Sequence, residues 1–348
     1  MIDQHYAGDP ETKKLENGAL DGMLKSLDSF SEFLSAREFQ EIKNEVNGEY
    51  GGVGIVVALR GDYPKVIKVL KGSPAEEMGI LEFDEIVKIE NVSTYRLPIF
   101  NIIEKLRGPL GSEVSVTLKR GMTAGDIQIK LKREKIVIES IREKRFIAPN
   151  VGYVRLVEFI QNTKLDLENA LQELKKNGAK ILILDLRNNM GGTLDSAVDI
   201  SRVFIPSGKL IVKTKGRDPE NTGSFFADEN GSETVLPLFV LINRYTASAS
   251  EIVAGALKDN GRAKIVGEKS FGKGSVQTLF PLKDGSAIRL TTAYYETPKG
   301  ERIDQKGIQP DVELAFPDEI EQMKEMADKR DSILDKTLEI VNGQKTQK

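Results

Sequence analysis

The chain has 348 residues, 30% of them charged, with a formal net charge of −3. That length allows two or three domains around a sizeable core, and the near balance of charge offers no basic excess for nucleic acid. Cysteine is absent and the one histidine is His5, which excludes a cysteine nucleophile, a disulfide framework and a thiolate zinc site and leaves a Ser–His–Asp triad without an anchored base. A serine nucleophile here needs another base, and lysine is the known variant.

Residues 1–47 are predicted to be a helical segment. Leu15, Ala19, Leu20, Met23, Leu24 and Leu27 fall at helical spacing, giving an amphipathic helix that covers a core or pairs with another chain. The opening MIDQHYAGDPETKK is no signal peptide. No apolar run, Ile181–Leu184 included, approaches the length of a membrane span. Either the protein is cytoplasmic or a targeting segment is missing.

Residues 48–135 carry a glycine-containing loop at Gly51-Gly52-Val53-Gly54-Ile55, a helical turn at Gly72–Gly79, a strand at Phe83–Ile89 and a helix at Ile102–Gly108. In that order these segments resemble a PDZ domain. The resemblance implies that Gly52, Val53, Gly54 and Ile55 turn backbone N–H groups toward the C-terminal carboxylate of a peptide, as an anion nest does. The peptide would add as a strand to the sheet edge. Arg107, at the end of the helix, resembles an arginine that links such a domain to a protease core; its plain reading is a cation at a helix C-terminus.

From residue 136 the pattern changes. Val151–Leu156 reads as a strand, Asp166–Lys176 as an amphipathic helix with Leu167, Leu171 and Leu174 on one face, and Ile181–Leu186 as a buried strand. Strand–helix–strand of this kind predicts a βαβ unit and α/β layering. The loop Arg187-Asn188-Asn189-Met190-Gly191-Gly192 follows and suits a strand-to-helix turn. Residues 213–236 are polar and predicted to form a surface hairpin or loop.

The apolar run Pro237–Ile242 leads into Tyr245-Thr246-Ala247-Ser248-Ala249-Ser250-Glu251 and an alanine-rich helical pattern. Ser248 thus sits where a strand hands over to a helix. The first helical N–H groups lack partners there and the helix dipole favours negative charge, which suits an oxyanion. Ser248 and Glu251 also fit a plain capping box. Gly267–Lys273 fits G-x-x-x-x-G-K, but Gly274 stands where a phosphate loop requires Ser or Thr, and Ser275–Phe280 reads as a strand. At the C-terminus a charged helix is predicted over Glu319–Val341, with Ile320, Met323, Met326, Ile333, Leu334, Leu338 and Val341 for packing or oligomer contact. A disordered tail, Gly343–Lys348, is predicted after it.

Thr246–Ile252, Asp259 and Phe271-Gly272-Lys273-Gly274-Ser275-Val276-Gln277 together resemble the carboxyl-terminal processing proteases, the tail-specific, PDZ-containing serine peptidases of S41 type. The likeness runs through nearly the whole chain, including Gly18–Asp28, Leu186–Gly192, Tyr295–Ile303 and Gly307–Asp311. It implies that Ser248 is the nucleophile, Lys273 its base and Gln277 the residue orienting the lysine, with the family's spacing of 25 between serine and lysine. Gly191 and Gly192 would form the oxyanion hole with the N–H of Ala249, and Asp259 would help to order the site. Met190 stands where relatives often carry proline.

The implied fold is a multidomain α/β protein: a crotonase-like α/β protease core at 136–316, a PDZ domain at 48–135, and helical N- and C-terminal segments at 1–47 and 317–348. The resemblance implies no cofactor, metal or ATP. It implies protein or peptide substrates with accessible apolar C-termini, a regulatory or adaptor protein, no nucleic acid, and an extracytoplasmic location in the periplasm or cell envelope. Helices at both ends suggest a homo-oligomer, with a dimer plausible. The competing reading is a catalytically silent PDZ scaffold on a protease-like core. A crotonase-like acyl-CoA enzyme is disfavoured by the PDZ segments and the Ser/Lys pair.

Overall fold

Four apolar runs form the centre of the fold: Val151–Leu156, Ile181–Asp185, Leu238–Ile242 and Ala263–Gly267. Both faces of such strands are covered, so they show no polar alternation. In the computed structural model, which describes residues 1–46, 49–59, 61–97, 99–121, 125–137, 140–228, 231–316 and 330–345, the four lie side by side and parallel. Ile183 faces Tyr153 on one side and Phe239 on the other. The antiparallel Ile141–Ala148 closes one edge of this six-stranded sheet and the short Val312–Glu313 the other.

Alternate residues of each strand go to opposite faces. Leu156, Leu182 and Val240 pack under the helices Thr163–Lys176, Leu194–Phe204 and Ala249–Asp259. Tyr153, Ile183, Phe239 and Leu241 pack against Leu334 and Val341 of the C-terminal helix Ser332–Lys345. The loops that leave Ile181–Asp185 and Leu238–Ile242 emerge at the carboxyl ends of neighbouring strands, where open α/β sheets place their sites. A second, antiparallel sheet contains Leu210–Gly216, Gly223–Phe226, Ser275–Pro281 and Ala287–Glu296, joined by Glu32–Leu34.

The chain divides into two compact units, one of Met1–Phe33, Glu139–Leu282 and Ala287–Lys348, the other of Leu34–Ile138 with Lys283–Ser286. The second holds a six-stranded antiparallel sheet ordered Ile55–Leu59, Pro64–Val69, Glu85–Ile89, Glu113–Lys119, Ile127–Lys132, with Val92–Ser93 beside Glu85–Ile89. The helices Pro74–Glu77 and Ile99–Leu106 complete it, and Val66, Ile86, Ile102, Val116 and Leu131 fill its core.

Several expectations need correction. The N-terminal segment is not all helix: Thr12–Lys25 and Ala36–Val46 are, but Glu32–Leu34 is a strand. Of the predicted apolar face of the first, Leu24 is buried while Leu15, Met23 and Leu27 are exposed. Residues 213–236 do contain a hairpin, pairing Lys213 with Ser224, yet Ala227 and Glu233 within them are buried. Of the predicted C-terminal helix, residues 319–329 lie outside the described residues, and the described part begins at Ser332, where Asp331 caps it by accepting the Leu334 N–H at 3.0 Å. Gly343 lies inside that helix, which continues to Lys345. The predicted Ile320, Met323 and Met326 fall outside the described residues.

Candidate active site

The turn after Leu238–Ile242 is tied down by hydrogen bonds before it reaches Ser248. Thr246 Oγ1 donates to the Leu186 carbonyl at 2.9 Å and accepts the Asn243 N–H at 2.9 Å. Asn243 pairs with Asn188: the Asn188 backbone N–H donates to Asn243 Oδ1 at 3.0 Å, and Asn243 Nδ2 donates to Asn188 Oδ1 at 2.9 Å. The Asn189 carbonyl accepts the Ala247 N–H and the Ser250 hydroxyl, both at 3.0 Å. The serine turn and the glycine loop are therefore one fastened assembly. Ser248 itself has φ +56° and ψ −119°, a rare conformation for a non-glycine residue that persists only where surroundings over-determine it.

The residue that over-determines it is Glu251, fully buried at 0% exposure. Its Oε2 accepts the N–H of Ser248 and the N–H of Lys273, each at 2.9 Å. Its Oε1 accepts the Ser270 hydroxyl at 2.5 Å and the Gly272 N–H at 2.6 Å. One carboxylate thus joins the serine turn to the lysine loop. Burial pushes its pKa up, and the four donors pull it back. The sequence showed Glu251 only as a capping partner; the three other donors lie 19–22 residues further on. The lysine loop is braced from behind by residues of the Tyr295–Asp311 region. Gly272 accepts from Gln305 N–H at 2.8 Å, Gly274 from Tyr295 N–H at 2.7 Å, and Ile308 N–H reaches Ser270 Oγ at 2.6 Å.

Lys273 is half-buried. Burial, and after it the nearby Arg289, lower its pKa from the ordinary lysine value, with Glu251 acting in the opposite sense. Its Nζ lies 5.1 Å from the centre of the Phe30 ring. Gln277 Nε2 donates to Ser275 Oγ at 2.9 Å and to Thr291 Oγ1 at 3.2 Å. Among the described residues no hydrogen bond joins Lys273 Nζ to Ser248 or Gln277.

The Leu186–Gly192 loop is locked at its base. Arg187 lies between two carboxylates, Asp185 at 2.6 Å and Asp331 at 2.7 Å, and Tyr153 donates to Asp185 at 2.6 Å. For Asp331 burial works toward a higher pKa, but Arg187 holds it below the usual value. Asn189, also fully buried, donates to the Leu156 carbonyl at 2.9 Å. The Gly191 N–H, expected to be an oxyanion donor, is occupied by Asn189 Oδ1 at 2.9 Å. Among the described residues the N–H groups of Gly192 and Ala249 donate to no protein acceptor; Ala249 opens its helix, where such groups have no intrahelical partner. Gly191, at φ +101°, would place a Cβ 2.8 Å from Ala249 N and 2.9 Å from Ser248 Cβ. Gly191→Ala is therefore expected to cut activity by roughly 10²-fold, the scale of a lost oxyanion donor, and to lower the unfolding midpoint as well, because the methyl group meets backbone in a conformation that favours glycine; steady-state kinetics beside urea denaturation checks it.

Asp259 does not reach this site. It ends the helix that Ala249 opens, about 15 Å away along the axis, and its carboxylate accepts the Lys299 N–H at 3.0 Å. Met190 is 73% exposed on the loop's surface. In the second unit, Gly54 has φ +79°, and a Cβ there would fall 2.1 Å from Ser73 Cβ. The Val53 and Gly54 carbonyls are used inside the fold, by Ala75 N–H at 3.0 Å and Leu70 N–H at 2.8 Å. The Val53 and Gly54 N–H groups donate to no acceptor among the described residues. Gly52 pairs with Glu134, and Ile55 opens the edge strand Ile55–Leu59. Arg107 follows the helix Ile99–Leu106.

Comparison with known proteins gives the family. The sequence profile of peptidase family S41 matches residues 150–314, the stretch that holds both the serine turn and the lysine loop. The chain is 37% identical over 316 residues to a carboxy-terminal-processing protease of Bartonella bacilliformis, covering 90% of this chain and 72% of that protein. It is equally identical over 319 residues to a probable CtpA-like serine protease of Staphylococcus aureus, of which it spans 63%. The solved photosystem II D1 C-terminal processing protease superposes with a TM-score of 0.60 at 32% identity, covering 92% of this chain and 88% of that one. With a mixed α/β fold matching that structure, the chain belongs to peptidase family S41, the serine-type peptidases that include the carboxy-terminal-processing proteases.

Proposed function

We propose that this chain is an endopeptidase that cleaves proteins selected by their C-termini, using Ser248 and Lys273 as a catalytic dyad. The observation that carries the reading is the joining of the serine turn and the lysine loop on the two oxygens of buried Glu251, with the lysine half-buried and its pKa lowered. A lysine so placed can be neutral near physiological pH and accept a proton.

In this mechanism Ser248 Oγ attacks the peptide carbonyl carbon and its proton passes to Lys273 Nζ. The negative oxygen forms beside the N–H groups of Gly192 and Ala249, on the loop whose turn Gly191 makes. The C–N bond then breaks and the Lys273 ammonium returns the proton to the leaving amine. Water, deprotonated in turn by Lys273, attacks the acyl-serine, and the ammonium returns that proton to Ser248 Oγ as the acyl–oxygen bond breaks and the acid leaves. Because Gln277 commits its Nε2 to Ser275 and Thr291, its Oε1 is the end left to accept from the lysine and hold it in line.

We assign substrate capture to the second unit, read as a PDZ domain, and cleavage to the first, read as a crotonase-like core. The N–H groups of Val53 and Gly54, which donate to no acceptor among the described residues and are flanked by Gly52 and Ile55, suit a peptide carboxylate. The edge strand Ile55–Leu59 suits strand addition by an apolar tail. Arg107 is proposed as the link from this unit to the core. No helix among the described residues is long and apolar enough to cross a membrane; an extracytoplasmic place of action and a homo-oligomer remain part of the proposal.

The test is cleavage of an unfolded reporter protein with an apolar C-terminal tail, by this chain and by Ser248→Ala. Cleavage only by the first, lost again when the tail is removed, supports both halves of the reading. Equal cleavage by both overturns the nucleophile, and cleavage indifferent to the tail overturns C-terminal capture.

A further inference from the structure

A short segment from the N-terminal end of the chain completes the surroundings of Lys273. Asp28 folds it into a turn, accepting the Phe30 and Ser31 N–H groups at 2.7 and 2.8 Å and the Ser31 hydroxyl at 2.9 Å. Ser31 Oγ accepts the Thr291 N–H at 3.2 Å, and Thr291 is the residue whose hydroxyl holds Gln277. Glu32 makes an ion pair with Arg289. Just before these two attachments in the chain, the Phe30 ring lies over Lys273 Nζ, 5.1 Å from it. Both attachments of the strap therefore end on groups that bear on the dyad.

We propose that Phe30 is a positioning residue of the active site, docked by the Asp28–Glu32 strap over the Lys273 amine so that water is kept from it and it works as a neutral base. The inference rests on the reading of Lys273 as the base. Four charged groups bear on the amine and its strap, of which Asp28 holds the turn itself. Arg289 disfavours the ammonium, Glu251 favours it, and Glu32 bears on it by pairing with Arg289. The ring acts in two senses: its π face attracts a cation, while its bulk denies the cation water. Desolvation of a lysine can shift its pKa by several units, more than one such ring contact returns, so the wall outweighs the attraction.

The experiment measures kcat/KM on the tailed reporter from pH 6 to 10 for the wild type, Phe30→Ala, Phe30→Leu, Phe30→Gln and Lys273→Ala. Phe30→Ala should move the rising limb up by about one pH unit, a loss of about 10-fold near pH 7 that is recovered at the alkaline end. Phe30→Gln keeps the size but brings water, and should shift the limb the same way if Phe30→Ala does not fold. Phe30→Leu keeps an apolar wall without a π face and should leave the limb within a few tenths of a unit of the wild type. A loss equal at every pH, an unmoved limb, or higher activity at neutral pH in Phe30→Ala or Phe30→Gln overturns the strap's role. Lys273→Ala separates the two ideas: activity there brings down the base assignment, whereas its inactivity beside an unmoved limb brings down only the strap.

Discussion

Lys273→Ala is expected to lower cleavage of the reporter on the order of 10⁴-fold, as large a loss as Ser248→Ala, because members of one catalytic unit are not additive. Activity of the wild type should rise with pH through the folded pKa of Lys273, since only the neutral amine accepts a proton. The same group has a stability consequence of definite sign. Burial and Arg289 lower its folded pKa below the ordinary 10.5. Between the folded and unfolded values the unfolded chain binds more protons, so stability rises with pH across that window. Below the folded pKa a buried ammonium is carried at a cost. Lys273→Met should therefore be inactive yet unfold at a higher urea concentration than the wild type at pH 7, with the gap closing toward pH 10. A variant less stable than the wild type at pH 7 would show that the lysine is not held in a desolvated state.

Glu251→Ala is expected to damage both fold and activity. It strips a partner from four donors at once: the N–H groups of Ser248, Gly272 and Lys273 and the hydroxyl of Ser270. Each buried donor left unpaired costs about 1–3 kcal/mol, while removal of a buried charge returns part of that. A net loss of about 3–5 kcal/mol in urea denaturation is the expected result. Cleavage measured where the variant is still folded should fall by about 10²–10³-fold, since a displacement of about 1 Å at a dyad is enough for such a loss. Glu251→Gln should fall between, because its amide oxygen still accepts while its NH₂ meets N–H donors. Glu251→Ala within 1 kcal/mol and 10-fold of the wild type would mean that the serine turn and lysine loop are held by other contacts.

Much of this molecule could be read along the chain. Continuous apolar runs such as Ile181–Leu184 and Leu238–Ile242 announced buried parallel strands, because a strand covered on both faces has no reason to alternate. The lone His5 already pointed a serine toward lysine, and the glycines around Lys273 and at Gly191–Gly192 marked loops that side chains would obstruct. Where local pattern failed, the reason was a competing tertiary contact. Glu32–Leu34 became a strand because the Ala287–Glu296 sheet offered it partners. The described part of the terminal helix begins at Ser332, where Asp331 turns to Arg187, 144 residues earlier in the chain.

What the sequence by itself determined was the set of candidate side chains, the order of the strands' apolar runs and the need of any serine nucleophile for a base other than histidine. These depend on residue type and on neighbours a few positions away. Only the tertiary structure decided that Glu251 joins serine to lysine, that Asn189 takes the Gly191 N–H, that Asp259 lies at the far end of its helix, and that Phe30 covers the lysine. Each of these depends on a distance between segments that lie apart in the chain or on the direction of an N–H bond. A buried polar group is bound to find a partner, but which partner it finds is settled by how the layers pack.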